Sequence, residues 1–114
     1  MTQLTKTLIA GVIAIGISNS ALAECVAPSA PIVPDGNVAS KDELLSAQSA
    51  YKAFESNFYD YRECLQAKEK ALDPNAADLE AQKKALIDLD DVAFEELNRV
   101  AAEFNTAVKA YNAK

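Results

Sequence analysis

The stretch 40-SKDELLSAQSAYKAFESNFYDYRECLQAKEKALDP-74 decides the fold. Ser40-Lys41-Asp42-Glu43 has the form of a capping box, in which the Ser hydroxyl serves the amide of Glu43 and the Glu carboxylate reaches back. No Pro or Gly follows until Asp73-Pro74, and the residues between are mostly strong helix formers. Asp73-Pro74 is itself a start signal, with Asp as N-cap and Pro at the first helical position. The spacing therefore predicts one helix from Lys41 to Leu72 and a second from Pro74 to Asn112.

The apolar period places both helices on one seam. Leu44, Ala47, Tyr51, Phe54, Phe58, Tyr61, Leu65, Lys68 and Leu72 recur three and four apart, with Lys68 the one polar lapse. In the second helix Leu79, Leu86, Ala93, Val100 and Ala107 recur every seventh residue, interleaved with Leu97, Phe104 and Tyr111 and interrupted at Lys83 and Asp90. So short a link makes the helices antiparallel. Folding about Asp73 pairs Tyr61 with Leu86, Phe54 with Ala93, Tyr51 with Leu97, Ala47 with Val100 and Leu44 with Phe104. The fold class expected is all-α, an antiparallel two-helix hairpin over residues 40–114. Ile87, Phe94, Ala101 and Val108 form a second apolar line on helix two, wider than one partner helix covers. That face calls for the N-terminal segment, a second copy or a client.

Working back from Ser40, residues 24–39 form an extended Pro-rich strap. Pro28, Pro31 and Pro34 follow the three-residue period of polyproline II, and Pro34-Asp35-Gly36 supplies the reversal into the helix cap. Residues 1–23 carry the parts of a secretory signal: Lys6, an apolar run from Leu8 to Ile17, and Ser-Ala-Leu-Ala before a cleavage point between Ala23 and Glu24. The apolar run is too short to span a bilayer, and it is expected to be a helix that packs on nothing. Glu24 before Cys25 argues against lipidation. Export to the periplasm and an even cysteine count predict a Cys25–Cys64 disulfide, with free thiols or an intermolecular bridge as the alternatives. The reach agrees. Cys64 lies about 36 Å from the helix start at the helical rise, and the strap spans about 46 Å if extended, so it must run straight back along helix one. Val26, Ile32 and Val33 are then available to cover apolar surface. Closing a loop of about 40 residues contributes about 4 kcal/mol in the chain-entropy model.

These residues resemble a group of short exported bacterial proteins of uncharacterised function. In that group a Cys near the mature start precedes spaced prolines, Pro-Asp-Gly and a capped helix start, then a Gln, aromatics and Tyr-x-x-Cys-Leu. The matching positions are Cys25, Pro34-Asp35-Gly36, Gln48, Phe54 and Tyr61-Arg62-Glu63-Cys64-Leu65. The resemblance covers residues 25–65, supports the disulfided hairpin and the exported location, and brings no activity or ligand with it.

Composition narrows function by exclusion. The 114 residues include no His and no Trp, and the formal charge is −6. Loss of Lys6 with the signal, leaving 17 acids against about 10 bases, takes the mature chain to about −7. That charge disfavours nucleic acid and anionic membrane as partners. The two cysteines are too far apart for a Cys-x-x-Cys site, and the Ser and Thr residues have no His to activate them. The run Asp88, Asp90, Asp91, Glu95 and Glu96 lies on an uninterrupted helix rather than in a cation-binding loop, and reads as a solvated face. Tyr51, Phe54, Phe58 and Tyr61 fall at core spacing rather than forming a ligand box, and Tyr59, off the seam, is free to cover the strap or the disulfide. The expectation is a non-catalytic protein without cofactor or metal. It would be a structural or interaction protein meeting an envelope protein, or weakly itself, through Ile87, Phe94 and Val108. The alternative is an acid-responsive, chaperone-like holdase. The mature protein, isolated from the periplasm without reductant, should begin at Glu24 and weigh two protons less than its dithiol form by mass spectrometry.

Overall fold

The structure, a computed structural model, describes residues 24–114; residues 1–23, expected to be a signal segment with a helix, and Ala23 of the expected cleavage pair lie outside the described residues. Two helices, α1 (Lys41–Lys70) and α2 (Leu79–Asn112), form the antiparallel hairpin. The α1 start follows the sequence closely. The Glu43 amide donates to Ser40 Oγ at 3.1 Å and the Ser40 amide donates to Glu43 Oε2 at 3.4 Å. Leu44, Ala47, Phe54, Phe58, Tyr61 and Leu65 are buried on α1, against Ala93, Leu97, Val100 and Ala107 on α2. Phe58 and Val100 are wholly enclosed.

The second helix starts later than Asp73-Pro74 suggests. Asp73 Oδ1 accepts from the Asn75 amide at 2.9 Å, and the Ala76 amide donates to the Asp73 carbonyl at 3.1 Å. This makes a single turn that ends at once, before Asp78 opens α2. Asn75 and Asp78 bond locally more readily than they extend a helix, and two packed helices need room for the chain to cross the 8–10 Å typical between axes. The longer link moves the register. Arg62 meets Asp90, Phe58 meets Phe94 and Tyr51 stacks on Phe104 at 6.1 Å, rather than Tyr51 facing Leu97. Each partner lies more than one helical turn further along α2 than a fold about Asp73 gives. The slip runs along the helix axes and leaves the rotation of each helix about its own axis unchanged, so the same faces stay buried.

The strap crosses one groove of the hairpin, close to Asn57, Asp60, Tyr61 and Cys64 of α1 at its start and to Arg99, Thr106 and Ala107 of α2 at its end. Its exposure repeats every three residues. Val26, Ser29 and Ile32 face out, whereas Ala30 and Val33 pack on the core and Gly36 and Ala39 are buried. Val26 and Ile32, expected to cover apolar surface, are 82% and 94% exposed. They are six residues apart and so share one row of a three-fold extended chain, while Val33 belongs to the row facing the helices. Gly36 adopts no positive φ. The reversal is made by Asp35, whose carboxylate accepts from the Asn37 amide and side chain, both at 2.9 Å, and whose carbonyl accepts from the amides of Val38 and Ala39. Glycine is needed at position 36 for close approach, since a Cβ there would overlap the Ala107 backbone. Lys114 Nζ donates to the Ala39 carbonyl at 2.7 Å and closes the open end of the hairpin. Gly36→Ala should cost about 1–3 kcal/mol through this overlap, read as a lower midpoint in urea unfolding with an unchanged slope.

Candidate interaction face

The strap occupies one groove, and the groove on the other flank is closed by side chains alone. Arg62 follows the seam residue Tyr61 on α1, and Asp90 lies on α2 one turn before Phe94. The Arg62 Nε donates to Asp90 Oδ1 at 2.8 Å and its Nη2 donates to Asp90 Oδ2 at 3.0 Å. Among the described residues this is the one ion pair that joins the two helices. A guanidinium clasping a carboxylate in two parallel bonds is geometrically specific as well as charge-assisted. The Asp90 hydrogen bond holds Arg62 above its ordinary pKa, so the cation persists at every physiological pH. The same guanidinium lies 4.8 Å from the centre of the Phe58 ring and 5.6 Å from that of Phe94. It thus roofs the enclosed Phe58 and pins Phe94 from the side.

Around this clamp the surface is apolar and open. Phe94 remains 45% exposed, Ile87 53% and Tyr59 52%. Tyr59 stands edge-on to Phe58 at 5.3 Å, on the flank away from the strap, and not over the strap or the disulfide as the sequence allowed. Next to the clamp a shallow groove of about 250 Å³ is lined by Arg62, Leu65, Gln66, Glu69, Leu86, Ile87 and Asp90. Of the residues expected to form the face, Ile87 and Phe94 stand two turns apart on α2 and are accessible, and Val108 is half-buried four turns beyond Phe94. Leu89 and Val92, which the seven-residue pattern did not single out, are also accessible, at 48% and 66%. Four apolar side chains are therefore accessible between residues 87 and 94.

The acidic run is largely engaged by bases. Asp90 belongs to the clamp, Asp88 Oδ2 accepts from Lys84 Nζ at 2.7 Å, and Glu96 shares Arg99 with Glu103. Bonding to Arg99 holds the Glu96 carboxyl below its usual range. Among the described residues no three His, Cys, Asp or Glu side chains gather in a way that holds a metal ion, and no helix is long and apolar enough to cross a membrane. On the strap side, Cys25 and Cys64 are joined, with Cα atoms 5.7 Å apart and both residues half-buried.

The sequence concealed the clamp. Asp90 stood out as an acid in the apolar line of α2, but the expected register put it beyond the reach of Arg62. The available signal was an acid, Asp90, in the apolar line of α2 together with a base, Arg62, beside the seam of α1. Double-mutant cycles between Arg62→Ala and Asp90→Ala should return a coupling of about 1 kcal/mol that falls as salt is raised. A zero coupling in urea unfolding would mean that the pair is ornamental. Compared with family models, curated proteins and solved structures, the chain matches none.

Proposed function

We propose that the chain is a small exported, periplasmic helical-hairpin protein with a non-catalytic structural or protein-interaction role, acting through Ile87, Phe94 and the adjoining Tyr59. The exposure of Phe94 carries this reading. A large aromatic ring is held in place by a cation and by Phe58, yet nearly half of it faces solvent. Burying such a side chain is worth roughly 1.5–3 kcal/mol to whatever covers it, and little ordering cost remains because the ring is already fixed. Export is supported by the Leu8–Ile17 run in the sequence and by the disulfide, which belongs in an oxidising compartment.

A photo-crosslinking residue placed at Phe94 or Ile87 in living cells should give one discrete adduct, and the same residue at the exposed Ser49 should give none. An adduct of twice the chain's mass identifies a second copy; another mass identifies an envelope partner. Absence of any adduct at both positions overturns the reading. Sedimentation adds a check on self-association. With about −7 on the mature chain, any dimer should be weak and favoured by salt, and Phe94→Glu should remove it.

The clamp favours one further reading, the acid-responsive holdase. Replacing Asp90 by Asn frees the Arg62 roof above Phe58 and widens the exposed apolar surface. The acid response itself falls to Asp35 and Glu96. Hydrogen bonds from Asn37 and Arg99 respectively hold both carboxyls low. Their contributions are present above the unfolded carboxyl pKa and are lost as pH falls through the depressed folded value. Asp90→Asn at neutral pH should then raise binding of a hydrophobic dye and slow aggregation of a denatured client. A variant that suppresses no aggregation, and a wild type equally inert at pH 3, would remove this reading.

A further inference from the structure

We propose that the Cys25–Cys64 disulfide is a redox latch, and that its reduction by a dithiol releases the strap from the groove while the two-helix hairpin stays folded. This goes beyond the role assigned to the Phe94 face, which lies on the opposite flank.

The strap is held unequally along its length. Its hydrogen bonds begin at Asp35, and none runs from residues 24–34 to either helix. Of its apolar side chains, Val26 and Ile32 face solvent, Pro28, Pro31 and Pro34 are half-buried, and Cys25, Ala30 and Val33 rest on the core. Of the three on the core, Cys25 and Ala30 are small. The C-terminal end is firm, through the Asp35 turn, the enclosed Gly36 and the buried Ala39. At the N-terminal end the covalent bond is the one strong attachment. It lies at the surface, beside a cleft bounded by residues 24–29 with Asn57, Asp60 and Tyr61, and both cysteines are half-buried, not enclosed.

The hairpin has its own closure. The turn at residues 71–78, the seam from Phe54 to Leu65 against Ala93 to Val100, and the Arg62–Asp90 clamp all lie outside the strap. Releasing residues 24–32 leaves these intact. It bares the flank of the seam beside Asn57, Asp60 and Tyr61, the surface that in the oxidised form lies against residues 24–29.

The exchange balances without further reagents. A thiolate of the dithiol attacks one sulfur of the bridge and displaces the other as a thiolate. The dithiol's second thiol then resolves the mixed disulfide. Cys25 and Cys64 together gain two electrons and two protons, and the dithiol leaves as its own disulfide.

The test compares the folded oxidised protein with the same sample reduced by dithiothreitol, using backbone NMR relaxation, helical circular dichroism and hydrophobic-dye fluorescence. Reduction should lower the order parameters of residues 26–32 from about 0.85 to below 0.6. Dye fluorescence should rise severalfold and the helical signal should hold. The Cys25→Ser/Cys64→Ser double variant should give the reduced spectrum without dithiothreitol, which excludes an effect of the reagent itself. A strap that stays ordered after reduction overturns the latch, because noncovalent contacts then suffice. Collapse of the helical signal overturns it equally, because the bond is then a staple of the whole fold.

Discussion

Two helices packed along a single seam bury one stripe each and leave a groove open on either flank, and the rest of this structure answers that shortage. A domain of this size has little core to spend. Val100 and Phe58 lie at the bottom of those grooves and are enclosed all the same. The two covers are of opposite kinds. On one flank a length of backbone lies in the groove, brought close by Ala30, Gly36 and Ala39, which present almost no side chain. On the other, a single guanidinium spans the gap, fixed by a carboxylate from the far helix and backed by aromatic rings. The first cover is dry and tied covalently; the second is ionic and partly open.

The two covers differ in what they leave for other molecules. The strap fills its groove with extended chain whose outward row, Val26 and Ile32, is apolar but narrow. The clamp leaves Phe94, Ile87 and Tyr59 as a broader patch of shared chemistry. Of the acids near that patch, Asp88, Asp90 and Glu96 are matched with bases, so its local charge is milder than the run of acids suggests. A partner would meet aromatic surface first and net repulsion or attraction only at longer range.

The sequence displayed the faces well and the register poorly, for physical reasons. Each seam position read from the three-and-four spacing, from Leu44 to Leu65 and from Ala93 to Ala107, is either buried or half-buried, because burial follows helical phase and phase is local. Register depends on where the chain turns. Asp73-Pro74 looks like a helix start and forms only one turn, in which the Asp73 carboxylate takes the Asn75 amide and its carbonyl the Ala76 amide. From that one misplacement followed the wrong opposite numbers for Tyr51 and the hidden pairing of Asp90. The disulfide was legible because reach is a length, and lengths add up along a chain regardless of its turns. Which strap residues face inward was not, since it depends on the phase of the extended chain relative to its anchor at Gly36. That anchor is set by a tertiary approach to Ala107 that nothing local announces.

The bridge also determines how the molecule carries tension. A pull applied at Glu24 and resisted at Lys114 enters α1 at Cys64 through the disulfide, about three-quarters of the way along the helix. Residues 26–63 form a closed covalent loop that the load bypasses. The strap, the capping box and about the first three-quarters of α1 therefore feel no stretching force while the bond is intact. The strain falls on Leu65 to Lys70, the turn and α2. In mechanical terms the protein is a short tether of about 50 residues with a slack loop clipped to its side, and cutting the clip lengthens it by up to about 38 residues, or more than 100 Å at about 3.3 Å each.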